Sequence, residues 1–269
     1  MNRYFIALAV TLAAKVSMLA QHAGHGAAGA DAPAVPTAGV LPHVSNGWKP
    51  PVEDRMRFNY TVIDRLEFSS GDAPVALTWD AQGWHGGDRE KFWWKAEGGR
   101  RLSGGSEGEG EVQALYSRLV APFWDLQAGL RHDRTWGTAR NRNRTFAVVG
   151  FEGLAPYWFE VEPALFVSED GDISLRLAAT YEVLLTQRLI LQPRLDLDAA
   201  LQDAPEFGIG SGLNSVELGV RLRYEIRREF APYVGLTWRE SFGRTARLAR
   251  MGGEPTSTLQ FVGGLRLWW

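Results

Sequence analysis

The residues best suited to chemistry in this chain are few and scattered. His22 and His25 stand in "QHAGHGAAGA", an H-x-x-H spacing that lets two imidazoles share one ion through a flexible loop. His43 follows in "HVSNG". Neutral imidazole suits Cu(II) as it does other late first-row metals, so His22 and His25 are candidate metal ligands, and their chemistry alone does not choose the ion. The thioethers that suit Cu(I) are missing beside them, because no methionine occurs between Gln21 and Arg55. "HVSNG" also offers His43 as a base for Ser45, the pairing of an activated nucleophile. It lies in a Pro-rich segment with no strand to hold the two in register. His132 and Asp133 form a second possible hydrolytic pair. Adjacent residues of a strand point to opposite faces, which works against a direct hydrogen bond between them. Cysteine is absent, which removes disulfides, thiolate ligands and a cysteine nucleophile.

The elements that must position these groups are read from periodicity. Residues 1–22 look like a signal peptide: Arg3, then an apolar run from Tyr4 to Ala14, then small residues offering cleavage near 20–23. Residues 23–56 are rich in Ala, Gly and Pro and poor in large apolar side chains, which predicts a disordered arm. From 57 to 269 strict alternation takes over. In "SVELGVRLRYEI", Val216, Leu218, Val220, Leu222, Tyr224 and Ile226 oppose Glu217, Gly219, Arg221, Arg223 and Glu225. About twelve such segments follow one another, near 58–69, 74–84, 89–101, 109–120, 123–134, 143–154, 157–168, 172–185, 188–201, 213–226, 230–242 and 256–269. Most are longer than the usual soluble strand of about 5–6 residues, and long enough for a tilted crossing of a bilayer, about 9–11 residues.

Connections alternate between tight ("APFW", "APYW", "TQ", "RRE") and long ("TWGTARNRN", "QDAPEFGIGSG", "GRTARLARMGGE"). Aromatic residues gather beside the tight ones: Phe123, Trp124, Tyr157, Trp158, Phe230, Tyr233, Trp268 and Trp269. Short turns at one end, long loops at the other and an interfacial aromatic girdle predict an all-β, transmembrane, antiparallel up-and-down barrel of about twelve strands, in the outer membrane, with both termini and the arm in the periplasm. A soluble sandwich is the competing architecture.

On that reading one strand face looks into the lumen and is densely charged. The acidic set includes Asp125, Glu160, Glu162, Glu182, Asp196, Asp198, Glu217 and Glu225. The basic set includes Arg176, Arg194, Arg221 and Arg223. Interleaved signs fit either a plug of mutually satisfied pairs or a polar conduit with charge rings. Net charge is -2, so there is no basic footprint for nucleic acid.

Several stretches resemble the copper resistance protein B family of outer-membrane barrels: "GWKPPVEDRMRFNYTVIDRLEF" (47–68), "EVQALYSRLVAPFWDLQAGLRHD" (111–133), "YEVLLTQRLILQPRLDLDAAL" (181–201) and "GIGSGLNSVELGVRLRYEIRREFAPYVGLTWRESFG" (208–243). The resemblance runs from Gly47 onward. It implies a barrel behind a periplasmic arm, a role in copper homeostasis and resistance through binding or passing copper, and no catalysis. It also implies outer-membrane lipid, the barrel assembly machinery and a periplasmic multicopper oxidase or small copper carrier as partners. Arms in that family are often rich in Met and His; this one keeps only His22, His25 and His43. A passive porin-like channel and an outer-membrane hydrolase are the alternative functions.

Overall fold

The structure is a computed structural model that describes residues 56–269, except 104, 106, 138–140 and 156–158. Thirteen strand segments form one antiparallel sheet: β1 (Phe58–Gly71), β2 (Ala76–Gly86), β3 (Glu90–Arg101), β4 (Gly108–Ala121), β5 (Trp124–Trp136), β6 (Arg142–Ala155), β7 (Phe159–Ser168), β8 (Ile173–Thr180), β9 (Val183–Leu184), β10 (Leu189–Ala200), β11 (Gly212–Tyr224), β12 (Phe230–Ser241) and β13 (Ser257–Trp268). Each pairs with its chain neighbours, except that β8 and β9 both pair with β10 and not with each other, and β13 pairs back onto β1, so the sheet closes. At the seam Thr61 and Trp269 exchange two backbone hydrogen bonds of 3.0 Å. Closure satisfies the edge N–H and C=O groups that a bilayer cannot hydrate.

β8 and β9 are two pieces of one stave, which makes twelve staves in all. The break has a local cause. Tyr181 N–H donates to the Pro193 carbonyl at 3.1 Å. Proline has no N–H to return the bond, so the ladder between β8/β9 and β10 is interrupted opposite Pro193.

The polarity is the reverse of a soluble protein's. Along β4, Glu111, Gln113, Leu115 and Ser117 are buried, while Val112 and Tyr116 are 60% and 52% exposed. Along β11, Arg221 and Arg223 are buried between exposed Leu218, Val220, Leu222 and Tyr224. An outer face of this kind is stable against hydrocarbon, not against water. The sandwich alternative fails here: closure and the apolar exterior give a transmembrane barrel. No helix among the described residues is long and apolar enough to span a membrane; the strands do the crossing.

Connections at the rim where β1 begins and β13 ends are short. Those at the other rim include the 201–211 segment, with a 3-10 turn at Pro205–Phe207, and the 242–256 segment, which contains helix α1 (Gly243–Met251). The sequence pattern predicts a plain loop at 243–254; the structure instead forms a helix there. Two girdle residues are also corrected. Tyr233 is buried, and its hydroxyl donates to Glu67 at 3.1 Å inside the barrel. Trp268 shares the inward face of β13 with Arg266 and packs near Tyr60.

Candidate functional site

The lumen is the site, and a bulge helps to build it. β1 carries one extra residue between Ile63 and Leu66 relative to both neighbouring strands. Simple alternation would send Asp64 and Arg65 to opposite faces; the bulge turns both inward. Asp64 then receives Arg266 at 2.7 Å, and Arg65 reaches Asp80 at 3.0 Å and Glu217 at 3.9 Å. Arg194, from β10, binds Asp196 at 2.8 Å and Asp80, on the far wall, at 3.5 Å.

A second group crosses elsewhere. Arg176 on β8 donates two bonds of 3.0 Å to Glu111 on β4 and touches Asp198 at 3.3 Å. Arg131 joins Glu111 at 2.7 Å and Asp133 at 2.6 Å. Lys95 on β3 holds Glu162 at 2.5 Å and Glu152 at 2.9 Å. Near the short-turn rim Lys91 pairs with Asp125 at 2.8 Å and lies over Trp84 and Trp93. The Arg176–Glu111, Lys95–Glu162 and Lys95–Glu152 bridges link staves three or four apart and cross the lumen, whereas Arg131–Glu111 and Arg176–Asp198 join neighbouring staves along the wall. One quarter of the interior is apolar instead: Trp93, Leu115, Phe146, Val148 and Phe166 pack together.

Space remains. A cavity of about 1130 Å³ runs inside the barrel, from Tyr60 and Glu160 to Phe207, Leu248 and Glu254 under the long connections. The long-loop mouth is partly covered. Phe207, carried on the 201–211 segment, lies against the Arg144 guanidinium of β6 at 4.4 Å and near Arg142 at 5.7 Å. Asp203 ties that segment to itself and to α1: it accepts from Ser211 N–H at 2.8 Å and pairs with Arg244 at 2.5 Å. Thr245 of α1 accepts from Gly210 N–H at 2.9 Å.

The Ser211 N–H, with Arg244 adding to it, holds the Asp203 carboxyl below the usual aspartate range. A lowered folded-state value means the tie is present at and above the ordinary Asp value and is lost only as pH falls through the lower, folded one. The expected result is that the labelling rate of a Glu206→Cys probe, taken relative to the same thiol in the unfolded chain at each pH because the thiolate is the reactive form, is unchanged between pH 7 and pH 5. Asp203→Asn should raise that labelling at both pH values.

The sequence-derived lumen residues come to rest as follows. Asp125, Glu162, Arg176, Arg194, Asp196, Asp198 and Arg221 sit in the pairs described, Arg221 with Glu67. Glu217 lies between Arg65 and Arg239. Arg223 holds Glu182 at 2.7 Å and Glu225 at 3.7 Å. Glu160 lines the cavity and has no ion-pair partner among the described residues. His132 and Asp133 are not brought together: His132 faces Thr145 at 3.1 Å on the outside, and Asp133 faces Arg131 within. His22, His25, His43 and Ser45, with the signal peptide, lie outside the described residues, as do Tyr157 and Trp158. Among the described residues no group of three or more His, Asp or Glu is arranged to hold a metal ion.

Sequence reasoning missed Asp64, Arg65, Glu67, Lys91, Glu111, Arg144 and Glu152. Glu111 was findable, since "EVQALYS" alternates. Asp64 and Arg65 were hidden by the bulge. Arg144 and Glu152 share a strand with the apolar quarter, where both faces of β6 are hydrophobic.

The profile of the family described as Copper resistance protein B precursor (CopB) matches residues 57–269, which is the whole barrel. The chain belongs to the copper resistance protein B family. "Copper resistance protein B" of Escherichia coli is 46% identical over 211 residues, covering 78% of this chain and 69% of that one. The "Copper resistance protein B homolog" of Pseudomonas syringae pv. tomato is 42% identical over 217 residues, covering 81% and 72%. Among solved structures, the NanC porin is 13% identical with a TM-score of 0.48, covering 78% of this chain and 98% of that one. Outer membrane phospholipase A from Escherichia coli is 13% identical with a TM-score of 0.47, covering 78% and 91%. The KdgM porin is 11% identical with a TM-score of 0.46, covering 78% and 98%. At those scores the three structures say nothing of what this copper resistance protein B family member does.

Proposed function

We propose that this barrel serves copper resistance at the outer membrane as a cation-favouring conduit, through which copper ions pass by weak capture on lumen carboxylates. The observation that carries the reading is the make-up of the cavity wall. Its carboxylates outnumber its cations, Glu160 among them without an ion-pair partner. Among the described residues no histidine or methionine lines it. Carboxylates are poor competitors for copper compared with imidazole or thiolate, so an ion would be held briefly rather than trapped. Conduction needs that balance: attractive enough to enter, weak enough to leave.

Family membership supports the copper role, and the closed barrel with an apolar exterior supports the outer membrane. The start of β1 and the end of β13 share the short-turn rim, which supports a periplasmic arm in the proposal. There His22, His25 and His43 would collect the ion before the lumen. No catalytic step is part of this reading, since His132 and Asp133 face opposite sides of the wall. The same lack of histidine and methionine favours a second reading, a porin-like channel indifferent to the metal.

Growth on copper tests the proposal. Cells lacking the chain should lose tolerance and regain it with the wild type. Glu160→Gln should restore it only in part, and the triple change His22→Ala, His25→Ala and His43→Ala should lower it further. Full restoration by every variant would favour the indifferent channel.

A further inference from the structure

Most of the outer wall near the long-loop rim is apolar, with Val167, Leu175, Leu213, Leu259 and Phe261 exposed on β7, β8, β11 and β13. One sector on β2–β6 is different. Its cross-strand register makes two rows: Leu77, Arg100, Gly108, Trp136, and beside it Trp79, Gly98, Gly110, Arg134, Asn143. A third row adds His132 and Thr145. All share the outward parity of Val112, and Arg100, His132, Arg134 and Asn143 are exposed.

The aromatic part is shaped by glycine. Trp79 and Trp136 stack with ring centroids 6.4 Å apart and planes 20° apart. A Cβ on Gly98 would come within 2.2 Å of the Trp79 ring, and one on Gly108 within 2.6 Å of Trp136. The glycines therefore let two indoles lie flat against the wall as a shelf. The cationic part is unspent. Inward-facing Arg101 and Arg131 are ion-paired, whereas Arg100 and Arg134 have no ion-pair partner among the described residues. Their Cα atoms are two strand spacings and two residues apart, roughly 12 Å.

We infer that this sector binds the headgroup of a phosphorylated disaccharide lipid in the outer leaflet. Each guanidinium takes one phosphate through paired N–H donors. The C–H faces of the sugar rings rest on the indoles, whose apolar surface sits at the headgroup level where Trp is favoured. A bare hydrocarbon neighbour would leave two unpaired guanidiniums at the membrane, which is costly. A headgroup with phosphates at both ends answers the charge, the spacing and the shelf together. The placement rests on the reading that the long connections face the cell exterior.

The test uses the full chain in detergent and native mass spectrometry. The probes are diphosphorylated lipid A, its monophosphorylated form and phosphatidylglycerol. The expected result is saturable binding of the diphosphorylated lipid, several-fold weaker binding of the other two, and at least a tenfold loss in Arg100→Ala/Arg134→Ala. A milder variant, Trp79→Leu, should weaken the saccharide lipid while leaving phosphatidylglycerol unchanged. Equal retention by the double variant would overturn the inference, as would equal binding of all three lipids. A Glu206→Cys probe labelled from outside intact cells checks the leaflet independently. No labelling there would overturn the outer-leaflet placement.

Discussion

Arg221→Ala should destabilise the folded barrel by roughly 3–5 kcal/mol, the range for removing one member of a buried ion pair. Arg221 Nε and Nη2 donate to the two Glu67 oxygens at 3.0 and 2.9 Å, and the two side chains are 4% and 6% exposed. Arg221 is on β11 and Glu67 on β1, so the pair spans β12 and β13 and braces the seam where the sheet closes. Without the guanidinium, Glu67 keeps only the Tyr233 hydroxyl. Most of the loss is thus the cost of a stranded charge, not the worth of the pair. It follows that Glu67→Ala/Arg221→Ala should cost less than the sum of the single changes, because the stranded group is gone in both. Arg221→Lys should fall between, since lysine keeps the charge and loses the fork. Urea unfolding in lipid vesicles, followed by tryptophan fluorescence, measures the four variants against the wild type. A loss below about 1 kcal/mol, the scale of an exposed pair, would mean the lumen is wetter at this seam than the geometry implies.

Replacing residues 203–210 by a two-residue Asn-Gly turn should raise single-channel conductance several-fold. The replaced segment carries Phe207 across the mouth to Arg144. Arg144 is also held by Asp172 and Ser168, so the wall beneath it should stay in place. Phe207→Ala alone should do less. A cation–π contact is worth roughly 0.5–2 kcal/mol, and Asp203 still ties the segment to Ser211 and Arg244. Phe207→Ala/Asp203→Asn should therefore exceed either single change. Unchanged conductance in the turn replacement would place the narrowest point in the ion-pair network, at Arg176 and Arg194.

The fold was legible because period-2 alternation survives almost everywhere. The segment read at 213–226 is observed as β11, Gly212–Tyr224, and the one at 109–120 as β4, Gly108–Ala121. Legibility failed where another force acted. The helix over Gly243–Met251 has few apolar residues to announce it and stands among polar residues at the mouth. The charges at Asp64 and Arg65 escaped because one inserted residue resets the phase of β1. Glu152 escaped because Phe146 and Val148 on its own face belong to an apolar cluster inside the lumen. Tyr233 was misread as a girdle residue because type and position near a turn do not reveal which face a side chain takes. Its contact with Glu67 depends on the partner strand's register. The long-range matches, such as Arg176 with Glu111, are set by barrel closure and have no local sequence signal.

A lumen that passes copper as a cation, as proposed, has a direct consequence for transport. Copper influx into vesicles containing the purified full chain and a trapped copper indicator reads it. Ionic copper should enter faster than in protein-free vesicles and faster than an anionic copper chelate, and Glu160→Gln should slow it. Influx no faster than in protein-free vesicles, or equal rates for the cationic and anionic forms, would contradict the account.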